Sequence, residues 1–551
     1  MLYNVLRRFT KYTSLTVLFF CAHIFIACDG SPSQSSVATR PPPVYRNETV
    51  SPPDEVTSYD IYLVKVNKGS NAVDAVDSGT VAAYMNSDTQ SSFSADFSYH
   101  SNEALSALSA NNSNEAVITC FEPPAIQEYN SRPFNKKNVL DKIVSAISGN
   151  SSGGDVPVFT SYDVDNKKTF KVPSDGTARK TIKIPATLRA QGEHCNVWVA
   201  DANYELTTDS TNFNNKIDQV QAEALRDKFD IIYVKETAIL GFEYGGGPGG
   251  DGGADGDPRI QILVYDVFGD YAATQKGGTF GFFYGIDETR NDASNMAEMF
   301  YIDCHLTKVA PSMIYSTLIH EFQHMINYNQ KNIKYEKGTS MWYNEMLSMV
   351  AEDMLDLDKD IKIEENGHPI ITRIPTFLKS FSKTGIGEWL TDTDNDVYNS
   401  YANHYAFGAY LARNFGGAEL IKLMLSNDAV DEESITAALG VCTSNTSGVK
   451  TFAAAFAGFP QSLLWTEQSA ETGKFSFNNT VSNLGYTFYP FDISMFPQGL
   501  AVSEFSKKNM RGMSIDIQTC TAWKNKTGKT IVKLEVPADS NVKLYLYAIP
   551  H

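Results

Sequence analysis

His320, Glu321 and His324 stand in the run Ile319-His320-Glu321-Phe322-Gln323-His324-Met325-Ile326. Two histidines four apart lie one turn above each other on one helix face, so both imidazoles can reach a single metal ion. Glu321, turned about 100° from His320, stands beside such an ion rather than on it. Imidazole is a good Zn²⁺ ligand, and a carboxylate next to the metal can take a proton from water. H-E-x-x-H on a helix therefore points to zinc-assisted hydrolysis of peptide bonds, with the Glu as general base. Two protein ligands do not complete a catalytic zinc site; three and an open position do. A third must come from elsewhere.

The helix that holds the pair starts at about Pro311, a residue suited to the first helical position, and runs to about Asn329. Met313, Ile314, Leu318, Ile319, Phe322, Met325 and Ile326 surround much of its circumference, which makes it a buried helix. Polar groups inside one need partners. The next helical stretch, Ser340-Met-Trp-Tyr-Asn-Glu345-Met-Leu-Ser-Met-Val-Ala-Glu352-Asp353, supplies them, with Ser340 as its cap. Glu345 lies far enough beyond His324 for the first helix to end, reverse and start a second one beside it. It is the expected third ligand. Glu352, further along the same face, is placed to accept a hydrogen bond from a metal-bound His, with Asn344 as a further outer contact.

H-E-x-x-H followed by Asn344-Glu345 resembles the gluzincin metallopeptidases. Trp342-Tyr-Asn-Glu345, with Glu352 beyond it, resembles the W-L-N-E-G segment of the aminopeptidase N group, with Met346 in place of its Gly. The longer context, His-Glu-Phe-Gln-His-Met-Ile-Asn and then Asn-Glu-x-x-Ser-Met-x-Ala-Glu-Asp, is most similar to the hyicolysin-type family of secreted bacterial metallopeptidases, over about 195–464. The resemblance implies an α+β multidomain chain whose catalytic part has a zincin-like, thermolysin-related fold. It also implies a donor for the tetrahedral oxyanion opposite the zinc. Tyr405-x-x-Gly408-Ala409 resembles the Y-x-K-G-A segment of aminopeptidase N relatives, whose Tyr serves the transition state; Phe407 stands where they have Lys. Tyr405 is expected in that role. His404 is the alternative, because thermolysin-like enzymes use a histidine there.

Around this centre the 551 residues are enough for about three domains. Arg7, Arg8 and Lys11 precede the apolar stretch Leu15 to Ala27, the pattern of an export signal over 1–27. Phe25-Ile26-Ala27-Cys28 resembles a bacterial lipobox, which makes Cys28 the expected lipid-carrying residue and leaves secretion after cleavage as the other outcome. Residues 28–55, rich in Ser and Pro, read as a tether. A β-rich region over 56–194, the catalytic domain over 195–465 and a β module over 466–551 follow from strand-like runs on either side of the helical part. The loop 245–257 is Gly-rich and carries Asp251, Asp255 and Asp257. It is either a flexible insert or a Ca²⁺ site; three aspartates and no following Lys exclude a phosphate loop. Met299-Phe-Tyr-Ile302 is a strand, either in the core or at an edge where a peptide could add. Past Cys28 the cysteines are odd in number and show no C-x-x-C, so thiolate zinc is not expected.

The net charge of -18 argues against a nucleic-acid partner. The expected function is that of an exported zinc metalloendopeptidase acting on proteins or peptides. An aminopeptidase with the same zinc site needs an anionic anchor for the substrate α-amine, and Asn295-Met-Ala-Glu298 is the nearest approach to one. A surface-binding, adhesin-like lipoprotein with a non-catalytic zinc site is the competitor of another class.

Overall fold

Cys195-Asn-Val-Trp-Val-Ala200 and Ile260-Gln-Ile-Leu-Val-Tyr265 are buried along their whole length, as strands covered on both faces must be. They pair in parallel inside a six-stranded sheet. The computed structural model describes residues 45–50, 59–70, 119–120, 122–135, 161–206, 215–270, 277–289, 291–363, 367–465, 474–496, 500, 510–519, 532–537 and 541–550. The export signal, Cys28 and the tether up to residue 44 lie outside them. In chain order the elements are β1 (Tyr45–Val50), β2 (Tyr59–Asn67), β3 (Thr119–Cys120), α1 (Pro124–Asn130), β4 (Lys167–Pro173), β5 (Thr181–Gln191), β6 (Cys195–Ala200), α2 (Gln219–Leu240), β7 (Ile260–Tyr265), β8 (Gly277–Gly278), β9 (Gly281–Phe283), β10 (Met299–Asp303) and α3 (Cys304–Val309). There follow α4 (Pro311–Asn327), α5 (Met341–Leu355), α6 (Pro369–Ser380), α7 (Asp394–Phe415), α8 (Gly417–Ser426), α9 (Asp431–Val441), α10 (Phe452–Leu464), β11 (Val481–Asn483), β12 (Tyr486–Phe488), β13 (Ser514–Thr519), β14 (Val532–Pro537) and β15 (Val542–Pro550). The architecture is α+β.

The main sheet runs β4-β5-β6-β7-β10-β9. β10 pairs with β7 on one side and β9 on the other. Met299–Asp303 is therefore an interior strand, and the edge next to the metal helix is β9. β4 and β5, which precede residue 195, are hydrogen-bonded into the same sheet through β6. Side chains alternate between faces along each strand. Val197, Val199, Ile262, Val264, Phe300 and Ile302 face the cluster that holds α2 and α4. Trp198, Leu263, Phe282 and Tyr301 form a second cluster with Phe170 and with Ile126 of α1.

Local chemistry sets the helix ends. Asp218 and Gln221 form a reciprocal capping box at the start of α2, and Thr393 caps α7. Pro311 opens α4 as its first residue. Ser340 precedes α5 without capping it; its hydroxyl donates to Asp431 instead. Gly408 lets α7 approach α5 closely: a Cβ there would lie 2.5 Å from Val350 Cγ2. The two helices are also joined by a buried bidentate pair, Arg413 Nη1 and Nη2 on Asp353 Oδ2 and Oδ1 at 2.6 and 2.9 Å.

The chain's two β ends meet. β2 lies between β13 and β15, and β1 pairs with β14. Tyr45–Val50, which composition assigns to the tether, is thus a paired strand; Tyr, Thr and Val favour that conformation. Among the described residues no helix is long and apolar enough to cross a membrane.

Candidate metal centre

α4 presents His320 and His324 with ring centroids 4.7 Å apart. α5 packs beside α4, and Glu345 reaches back so that its Oε2 lies 3.2 Å from His320 Nε2 and 3.7 Å from His324 Nε2. The three side chains expected as ligands are brought together, from two consecutive helices. Behind them, Glu352 Oε1 sits 2.7 Å from His320 Nδ1, and its other oxygen accepts from Ser316 Oγ at 2.6 Å. A carboxylate there fixes the proton on Nδ1 and turns Nε2 to the front. His324 Nδ1 lies 3.0 Å from Ser348 Oγ, and Asn344, next to Glu345 on α5, is buried beside the same ring.

A fourth group at this point had no signal in the sequence. Glu122 Oε1 lies 3.4 Å from His324 Nε2. Glu122, His320 and His324 offer donor atoms within 4.8 Å of one another, close enough to share one ion. Gln127, one helix further, donates to Glu345 and, at 3.2 Å, to Tyr401 Oη. Neither residue belongs to a recognisable motif, and each meets the metal helices only through tertiary folding.

The charges here do not balance among themselves. Glu122, Glu236, Glu321, Glu345 and Glu352 are all buried around the two imidazoles. Burial pushes the Glu321 carboxyl up to about 8, against the contact with Glu122, with the Glu345 charge adding to the rise. Glu122 is raised by burial and then by Glu321 and Glu345, and Glu236 by burial. Burial also works against a charged His320, but hydrogen bonds to Glu345 and Glu352 outweigh it and hold that imidazole at about 10. His324 is carried down to about 4 by burial. Glu345, penalised by burial, is nonetheless held below its usual range by His324 and His320. Both Glu321 oxygens are without a hydrogen bond of good geometry. Two imidazoles, a low-lying carboxylate and an excess of buried acid fit a divalent cation, which would replace the His320 proton and favour the ionised form of its neighbours.

The two residues expected to serve the oxyanion are elsewhere. Tyr405 Oη donates to Asp353 Oδ2 at 3.1 Å, inside the Arg413 ion pair. His404 has Nδ1 2.5 Å from Ser400 O and Nε2 2.9 Å from Ile386 O, so main-chain carbonyls engage both nitrogens. The aromatic hydroxyl that does reach the centre is Tyr401, one turn earlier on α7. Its Oη accepts from the Glu122 N–H at 2.9 Å, its ring centre lies 6.4 Å from that of His320, and the Arg373 guanidinium covers its face at 4.7 Å.

The Gly-rich loop is folded, and its aspartates close its own turns. Asp251, Asp255 and Asp257 accept from the backbone N–H of Gly253, Asp257 and Arg259 at 3.1, 2.9 and 3.0 Å. Asp257 also holds Asn196 Nδ2 at 2.8 Å. These carboxylates point into separate turns rather than at a common point, which is why the calcium expectation gains no geometry here. Among the described residues Cys195, Cys304 and Cys442 are free, buried thiols.

The chain matches no protein-family model. It is 29% identical over 371 residues to the neutral metalloprotease ShpI of Staphylococcus hyicus, a stretch covering 61% of this chain and 71% of that protein. The likeness supports a metalloprotease family for the chain.

Proposed function

We propose that the chain is an exported zinc-dependent metalloendopeptidase of gluzincin type, as the resemblance at the two metal helices implies. The observation that carries this reading is the convergence of His320, His324 and Glu345 on one point, with Glu321 beside it and Glu352 behind it. Zn²⁺ held by these three side chains would polarise the scissile carbonyl and make water acidic enough to be deprotonated near neutral pH. Glu321 takes the proton from the attacking water and delivers it to the leaving amine. Tyr401, not Tyr405 or His404, donates to the oxyanion. The catalytic unit takes in β4 and β5 as well as 195–465, since they share its sheet. Export rests on residues 1–27, and lipid attachment on Cys28.

Against an aminopeptidase, the nearest candidate amine anchor is tied up in the fold. Asn295 bonds Asp287 and Lys171, and Glu298 Oε1 accepts from Ala254 N at 2.8 Å. Against a purely adhesive protein, Glu321 is a buried carboxylate beside the two imidazoles, and a structural metal site has no use for a base next to the ion. Glu321→Gln tests the proposal. It should lower casein cleavage by about 10²–10⁴-fold, the range for a lost general base, while the purified protein keeps one bound zinc. Unchanged cleavage refutes the mechanism. Stepwise loss of N-terminal residues from a mixed peptide library refutes the endopeptidase part.

A further inference from the structure

Residues 122–134 are remote in sequence from the metal helices, yet they line the front of the site. Thr119 and Cys120 pair in parallel with Gly277 and Gly278, and the chain then follows the outer edge of the sheet past β9. Three buried polar side chains along the way, Glu122, Gln127 and Asn130, engage groups at or beside the metal centre. Glu122 brings a carboxylate to within 3.4 Å of His324 Nε2 and ties its own N–H to Tyr401. Gln127 donates to Glu345 and Tyr401 and accepts from Trp389 Nε1 at 3.2 Å. Asn130 donates to Phe283 O at 2.7 Å and accepts from Gly285 N at 2.9 Å. Its side-chain amide thereby presents the donor and acceptor that an extended peptide's backbone would offer when adding to a sheet edge. β9 is the edge strand of the sheet.

We propose that Glu122–Phe134 is an intramolecular inhibitor, holding the chain latent until the segment is displaced. This rests on the metallopeptidase reading above. Glu122 would offer a further carboxylate to a zinc held by His320, His324 and Glu345, where a catalytic site needs an open position. Asn130 of α1 engages Phe283 O of β9 and Gly285 N just beyond it, groups that an added peptide would use. The segment is gripped from one side by Asn332, whose Nδ2 donates to Asn130 O and Arg132 O at 2.8 Å each, and by Phe134 against Tyr328.

The test uses the full chain loaded with Co²⁺ and titrated with acetohydroxamate, a small metal-binding ligand that needs an open position. Glu122→Ala should bind it at least tenfold more tightly than the native chain, with a changed visible Co²⁺ spectrum and faster casein cleavage. Glu122→Gln, which keeps size and the backbone bond to Tyr401, should move the same way and guards against a folding defect. Asn130→Ala, away from the metal, should speed casein cleavage with the Co²⁺ spectrum unchanged. Unchanged hydroxamate affinity and spectrum in both Glu122 variants overturn the proposal. So does a fall in peptidase activity with a raised KM for peptides bearing a free N-terminus, which would make Glu122 a substrate anchor. Tighter hydroxamate binding without cleavage of any peptide supports the occluding segment and refutes the hydrolase. Failure of every variant to bind Co²⁺ overturns both.

Discussion

Tyr401 and Tyr405 are one helical turn apart on α7, and their surroundings give them different tasks. Tyr405 is buried against Asp353 and Arg413, where a hydroxyl stabilises a charge pair. Tyr401 Oη accepts from the Glu122 N–H and from Gln127 Nε2, and its ring centre lies 6.4 Å from that of His320. Tyr401→Phe should lower kcat by about 10²–10³-fold with KM little changed, as loss of one oxyanion donor does. Tyr405→Phe should leave kcat near native and lower stability by about 1 kcal/mol, the worth of one hydrogen bond. Steady-state kinetics and urea unfolding of both variants check this; a kcat loss confined to Tyr405→Phe reverses the assignment. The sequence exposed His320, Glu321 and His324 because helical periodicity alone places them together. It exposed Glu345 because the next helix must fold back beside the first. Gln127 reaches Glu345 across 218 residues, and no spacing rule announces such a contact. That Tyr401 rather than Tyr405 lies beside His320 has a similar reason: matching Tyr405-x-x-Gly408-Ala409 to a motif sets a register that packing does not keep.

At the scale of elements, α4, α5 and α7 hold the centre through two buried charge systems. Glu352 on α5 accepts from His320 and Ser316 on α4. Glu352→Gln should weaken zinc binding by about 10–100-fold, as losses of such outer partners do, with Glu321 left in place; competition with a chromophoric chelator measures it. Arg413 on α7 clamps Asp353 on α5. Arg413→Met should cost about 3–5 kcal/mol, because it leaves a buried carboxylate unpaired; the double variant Arg413→Met/Asp353→Asn should recover part of that loss. Equal loss in single and double variants would show that packing rather than charge dominates. The two metal helices and the strands β6 and β7 were legible from apolar runs; the cap was not, since the Ser340 hydroxyl bonds Asp431 instead. The edge strand was not. Gly281-Phe282-Phe283 is too short for a periodicity, while Met299–Asp303 has the apolar run of any strand, interior or edge.

The whole molecule distributes its acid asymmetrically: in a chain of net charge -18, Glu122, Glu236, Glu321, Glu345 and Glu352 are buried around His320 and His324. It also closes on itself in a way that composition did not foretell, with β2 between two C-terminal strands; pairing between chain ends leaves no local pattern. In the metal-free protein the cation inside this acid is the His320 proton. Burial opposes it, but Glu345 and Glu352 raise the imidazole to about 10, above an unfolded value of about 6.5. The stabilisation from that proton is therefore fully present below about pH 6.5 and is lost as pH rises toward 10. Glu321, raised by burial to about 8, acts in the same direction. Zinc would substitute for the His320 proton, so its binding releases protons and strengthens as pH rises. The gain in thermal midpoint on adding zinc to the chelated protein should accordingly grow between pH 6 and pH 9. At free zinc about 100 times its Kd the gain corresponds to about 2.7 kcal/mol. Calorimetry in two buffers of different ionisation enthalpy should detect net proton release at pH 7.5. A midpoint shift that shrinks with pH, or binding without proton release, would mean that the ion does not sit between His320 and Glu345.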